Sequence, residues 1–301
     1  MGTPALRSEF SDRRSTKRPP RSLAKRSPSS RFAALDTQAA SYELGDRDTA
    51  YIRATLPWLR FYTQVYHRAE VRGIERVPAT GPVLVVGNHS GGITTPDAPV
   101  FAVAALERFG VERAVFLLSH DIVFRTPFAS ALRKWGMMPA TRANSRLALD
   151  AGHMLMVFPG GDYDVFRPTS ESARIDFAGR KGFIDLALET RAPIVPVVQI
   201  GAQETQLFLT RGEWLARFSP LQSAFRSKLA PLAFGFPLGL TIGGVNLPLP
   251  AKITAEVLAP IDVRARFGAK ADRDEVYAHL TSVMQDALDR LARERRWPIL
   301  G

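Results

Sequence analysis

The chain has no cysteine. Disulfides, thiol nucleophiles and cysteine-type zinc sites are therefore excluded. Histidine is scarce, with five in 301 residues, and no paired-His metal motif appears. No Walker-type phosphate loop and no Gly-x-Ser-x-Gly elbow occurs. Long apolar runs are missing too. None reaches the roughly 18 residues of a spanning helix without Gly or Pro. The nearest is "LAPLAFGFPLGLTIGGVNLPLPA", Leu229 to Ala251, which lacks any charge but carries Pro231, Pro237, Pro248 and Pro250. Those prolines argue against a spanning helix. Two readings stay open for it: buried strands and loops, or a monotopic apolar surface that touches a bilayer.

Charge is uneven. The formal net charge is +11, and residues 1 to 32 hold +7 of it. This stretch is rich in Ser and Pro and poor in large apolar residues, a composition that predicts a disordered basic tail over 1–45. A solvated arm, a polybasic anchor for anionic lipid and a transit peptide are the competing readings. Nucleic-acid binding through the tail is a weaker alternative, because the remaining +4 shows no basic patch interleaved with aromatics.

At 46% hydrophobic, the rest is long enough for one core. Residues 46–68 predict an amphipathic or interfacial helix, with Pro57 ending one turn or starting another. Trp58, Phe61 and Tyr62 suit either a membrane interface or a cover for the core. From 69 to 301, short apolar runs alternate with helix-like segments. Residues 82–88, 114–120, 153–160, 192–201 and 252–261 read as strands, and 271–296 as an amphipathic C-terminal helix. The pattern predicts a single α/β domain with a largely parallel mixed sheet flanked by helices. Ligands then bind beyond the carboxyl ends of the strands.

Two strand ends stand out: Asn88-His89, and Phe158 to Asp162. After His89 comes a Gly91-Gly92 loop, then Thr95-Pro96-Asp97. Thr95 is a candidate N-cap and Pro96 a first helical residue. Asp97 in the first turn faces the loop, where its carboxylate would fix one imidazole tautomer and leave the other nitrogen as a base. The Gly91-Gly92 amides would suit an oxyanion. The plain alternative is a helix-start charge beside a satisfied loop histidine.

Four blocks in order then resemble the lysophospholipid/glycerolipid acyltransferase superfamily, nearest its bacterial branch related to monoacylglycerol and diacylglycerol acyltransferases. They are "VRGIERVPATGPVLVVGNHSGG", "GMMPATRANSRLALDAG", "VFPGGDYDVFRP" and "GRKGFIDLALETRAPIVPVVQIGAQE", within about residues 69–262. The resemblance implies a glycerol-phosphate-acyltransferase-like fold. It also implies O-acyl transfer from acyl-CoA or acyl-carrier protein, as co-substrate, to a glycerol-type hydroxyl. No bound cofactor, metal or acyl-enzyme is implied.

Carried over, His89 is the general base and Asp97 its orienter. Gly91, Gly92, Gly160, Gly161 and Asp162 line the substrate, with amides near Gly91 and Gly161 as oxyanion donors. The common family spacing is histidine, four residues, aspartate; here Asp97 follows after seven. Phosphate-accepting members commonly carry Pro-Glu-Gly and an arginine in the third block, whereas this chain has Pro159-Gly160-Gly161, the form of the neutral-glyceride branch. Arg142, Arg167, Arg180 and Lys181 remain candidate phosphate contacts. Arg180 and Lys181, before a helix start, are equally readable as a solvated entry. The partners implied are a lipid acceptor, an acyl-thioester donor and a membrane surface. The location implied is cytoplasmic, peripheral at the inner membrane face. A non-catalytic lipid or acyl-chain binding protein on the same fold is the alternative.

Overall fold

A computed structural model describes residues 1–2, 42–216, 229–297 and 299–300. The predicted tail, 1–45, falls largely outside them. Its last residues belong to the body: Tyr42 is buried edge-on against Phe116, and Leu44–Asp46 form a 3-10 turn.

Seven strands form the main sheet: β1 (Glu70–Arg72), β2 (Val83–Gly87), β3 (Val115–Ser119), β4 (Met137–Pro139), β5 (Met154–Val157), β6 (Ile194–Ile200) and β10 (Thr254–Val257). Their order is β1-β10-β6-β2-β5-β3-β4. The run from β6 to β4 is parallel, β10 is antiparallel to β6, and β1 is parallel to β10. A largely parallel mixed sheet is thus observed. Three strands, β7 (Leu207–Thr210), β8 (Leu232–Gly235) and β9 (Gly239–Ile242), form a separate antiparallel meander.

The central strands are apolar almost throughout, Gln199 on β6 excepted, because both faces are covered. On β2, Leu84 and Val86 join a core with Leu155, Ile184, Leu280 and Leu288. Val83 and Val85 face the other way, onto Met154, Val197, Phe101 and Ala105. The helices supplying these layers are α2 (Asp97–Phe109) on the second face, and α4 (Arg142–Asp150), α6 (Gly182–Thr190) and α9 (Arg273–Glu294) on the first. Helix α1 (Thr49–Arg60) starts with the Asp48 carboxylate accepting the Tyr51 N–H at 2.9 Å. Among the described residues there are also the short helices α3 (Ala129–Lys134), α5 (Gly161–Val165), α7 (Glu213–Ala216) and α8 (Val263–Phe267).

Pro57 does not break α1 as expected. It lies inside the helix, which then widens into a π turn, Phe61–Tyr66. Pro57 and Arg53, whose carbonyl loses its helical donor, are both exposed, so water can take the missing bond.

Candidate active site

Strands β2 and β5 are parallel neighbours, with Val86 opposite Val157. Their carboxyl ends therefore deliver Asn88-His89 and Phe158-Pro159 side by side. Asn88 locks the first of these. Its amide donates to the Gln199 carbonyl at 2.9 Å and its oxygen accepts the Gln199 N–H at 2.8 Å, continuing the sheet with a side chain.

His89 lies one residue beyond. Its Nδ1 is 2.8 Å from Asp97 Oδ2. The same oxygen accepts the Ser90 N–H at 2.7 Å, and Oδ1 accepts the Ala98 N–H at 2.8 Å. A buried carboxylate holding three N–H donors requires His89 to carry its proton on Nδ1. Nε2 is then a lone-pair acceptor, with no hydrogen bond among the described residues. The imidazole stacks on Phe158, with ring centroids 4.1 Å apart and planes 11° from parallel. Plane, tautomer and direction are all set, and the ring stays 17% exposed. The longer loop reaches back because it coils. Gly91 and Gly92 take φ of 92° and 67°, and Thr95 is left-handed as well. A Cβ on Gly91 would lie 2.5 Å from Pro96 Cδ. Thr95 thus makes no cap; the helix begins at Asp97, flanked by Pro96.

A second carboxylate holds the loop from beneath. Asp164, fully buried on α5, accepts the His89 backbone N–H at 2.6 Å and pairs with Arg167. Burial pushes the Asp164 pKa up from 3.8 to about 6, and the Arg167 charge opposes that shift. Arg167, also fully buried, donates to the His89 carbonyl at 3.0 Å and to Ser90 Oγ at 2.7 Å. Gln203 completes the clamp: its oxygen accepts the Gly91 N–H at 3.0 Å and its amide donates to the Arg167 carbonyl at 2.5 Å.

This corrects several expectations. Arg167 is not open to a phosphate, because its guanidinium is enclosed by Asp164 and the His89 loop. Gly91 and Gly161 are not open oxyanion donors: their N–H groups go to Gln203 and to the Phe158 carbonyl. The neighbouring amides of Gly92 and Gly160 carry no hydrogen bond to another described residue. Arg180 clasps the Pro-Gly-Gly turn, donating to the Gly160 carbonyl at 2.7 Å and to Asp162 at 2.8 Å. Lys181 pairs with Asp274, and Arg142 pairs with Glu189 on α6, so neither joins the cluster around His89. His67 is structural. It is buried between Tyr62 and Tyr66, its Nδ1 3.0 Å from the Ala251 carbonyl, and burial lowers its pKa.

Sequence reasoning marked Asn88 and Phe158 only as strand ends, without a role, and missed Asp164 and Gln203. Asp164 left a trace as an acid three residues before Arg167. No group of three or more acidic or histidine side chains among the described residues could hold a metal.

A family model described as Acyltransferase matches residues 68–200, which span the His89 loop, the Pro-Gly-Gly turn and β6. An uncharacterized protein of Mycobacterium tuberculosis is 34% identical over 245 residues, covering 80% of this chain and 66% of that protein. The chain belongs to the acyltransferase family. A human relative named "DGAT1/2-independent enzyme synthesizing storage lipids" is 30% identical over 200 residues, covering 66% of this chain and 59% of its own length. The chain thus spans about two thirds or less of these relatives. The crystal structure of the 1-acyl-sn-glycerophosphate acyltransferase of Thermotoga maritima shares the fold, with a TM-score of 0.50, 16% identity, and coverage of 91% of this chain and 86% of that one. The mostly parallel sheet flanked by helices is the part of this chain that the likeness describes.

Proposed function

We propose that this acyltransferase moves a fatty acyl group from an acyl thioester, on coenzyme A or a carrier protein, to the hydroxyl of a neutral glycerol-based lipid at a membrane surface. The observation that carries the chemistry is the His89–Asp97 pair, with Nε2 unpartnered at the carboxyl edge of β2. Nε2 takes the acceptor's hydroxyl proton as the oxygen attacks the thioester carbonyl carbon. Asp97 holds the Nδ1 side of the ring and stabilises the imidazolium. The tetrahedral adduct collapses, the C–S bond breaks, and the leaving sulfur recovers the proton from Nε2. The products are an ester and a thiol, with no acyl-enzyme. The amides of Gly92 and Gly160 are the candidate donors to the oxyanion.

A neutral acceptor is favoured by the charges. Arg167 is paired with Asp164, Arg180 with Asp162, Lys181 with Asp274 and Arg142 with Glu189. A dianionic phosphate would have to compete with a carboxylate for each of these cations. The name of the human relative, an enzyme synthesizing storage lipids, points the same way. A peripheral position on the cytoplasmic face remains part of the proposal; no described helix is long and apolar enough to cross a membrane. The test is acyl transfer by wild type and by His89→Ala with a thioester donor and a panel of acceptors. Loss of transfer by about 10²–10⁴-fold is expected for the variant. Lipid binding without turnover in the wild type would instead mean a non-catalytic carrier.

A further inference from the structure

The meander formed by β7, β8 and β9 has two apolar faces. Register sets Leu207 opposite Phe234, Phe234 opposite Leu240, and Leu232 opposite Ile242. The other face carries Phe208 and Ala233, both buried. A sheet with one face on a core and the other in water alternates apolar with polar residues. Here the outward positions Leu207, Phe234, Leu240 and Ile242 are 46–59% exposed. No charged residue occurs between Leu229 and Ala251 to interrupt them.

The meander reaches the active-site loop through its inner side. Phe208, on the inner side, lies so close under Gly92 that a Cβ there would come within 2.6 Å of its ring. Ile93, next in that loop, is 59% exposed. In the other direction the Tyr66 hydroxyl donates to the Pro248 carbonyl at 2.6 Å, joining the segment after β9 to the π turn that follows α1. Exposed Trp58 lies on α1 and exposed Trp214 on α7, just after β7.

We infer that the outer face of the meander docks on a lipid bilayer and opens the His89 loop toward it. Apolar surface with no charge suits hydrocarbon, and the exposed Trp214 just after β7 suits the headgroup layer. Residues 1 to 32, with a net +7, supply the complementary charge for anionic headgroups. The inference rests on the proposed function for the reason that a bilayer, rather than a protein, is the occupant: the acceptor is a membrane lipid.

Docking is read without turnover, so it is separable from that function. The full chain is sedimented with phosphatidylcholine vesicles containing diacylglycerol, in about 1 M salt, where the Debye length of about 3 Å suppresses the tail's attraction. Wild type is expected to bind. Phe234→Ser combined with Leu240→Ser is expected to weaken partition about 100-fold, about tenfold for each side chain, with little change in Tm. Because the chain has no cysteine, Leu240→Cys carries an environment-sensitive dye at a single position. Its emission is expected to shift blue on adding vesicles. Unchanged partition of the serine pair, or a dye that stays in water, overturns the inference. So does a wild-type dimer that ignores vesicles and dissociates in the serine pair, which makes the face a contact between copies. A non-binding monomer whose Tm falls steeply in that pair overturns it too, since the chain's own residues would then cover the face.

Discussion

Replacing Arg167 by methionine should destabilise the protein in a way that depends on pH. The guanidinium is buried against an equally buried Asp164. Removing one partner of a buried pair typically costs about 3–5 kcal/mol, because the remaining charge stays in a low-dielectric site. Asp164 can escape that cost by binding a proton. Its folded pKa of about 6 already stands above the unfolded 3.8. The stability it contributes is therefore full below about pH 4 and is lost as pH rises through 6. Without Arg167, whose charge opposes the shift, that loss extends to higher pH.

The variant should thus lose about 3–5 kcal/mol near pH 8 and less near pH 5. At about 2–4 °C per kcal/mol for a domain of this size, the Tm near pH 8 falls by about 6–20 °C. A smaller loss persists near pH 5, because the His89 carbonyl and Ser90 Oγ lose their donor at any pH. Adding Asp164→Asn removes the stranded charge but keeps an acceptor for the His89 N–H, so the double variant should regain much of the loss near pH 8. Thermal unfolding at both pH values checks this. An equal Tm fall at pH 5 and pH 8, or no recovery in the double variant, would refute the buried-pair reasoning.

The other expectations concern the same loop. Asp97→Asn would turn an NH₂ group toward donors that now meet a carboxylate, so kcat should fall by at least about 10²-fold with KM little changed; an unaltered kcat would remove Asp97 from the mechanism. Gly160→Ala would place a Cβ 2.4 Å from Asp164 Cβ and 2.9 Å from the Asp176 carbonyl. The resulting shift of α5 should cost about 10²-fold in transfer, checked by steady-state kinetics beside circular dichroism. Arg180→Gln releases only a surface clasp on Asp162 and the Gly160 carbonyl, so discrimination between neutral and phosphorylated acceptors should persist. A selective loss of phosphorylated-acceptor transfer in that variant would make Arg180 a phosphate ligand.

Much of the frame was legible because its physics is local. Strands β2, β3, β5, β6 and β10 and helices α2, α6 and α9 coincide with the predicted runs, since apolar periodicity follows burial. The reversed direction of β10 was not legible; its residues read the same either way along the sheet. The meander was half legible, since strands and loops were one of the two readings of Leu229 to Ala251. With apolar side chains on both faces, its strands lack alternation, and prolines and glycines make them resemble loops. His89 and Asp97 were visible as residue types at a strand end and a helix start. The Asp164–Arg167–Gln203 clamp was not, because it depends on three segments meeting below the loop. An arginine enclosed there looks, in sequence, like one open to substrate.

The most direct measurement offers monoacylglycerol, diacylglycerol and lysophosphatidate together with an acyl thioester and follows the products by lipid mass spectrometry, for wild type and for His89→Ala. Acylated neutral glyceride from the wild type alone is the predicted result. Preferential acylation of lysophosphatidate would contradict the neutral acceptor, and undiminished transfer by His89→Ala would contradict the histidine-base mechanism itself.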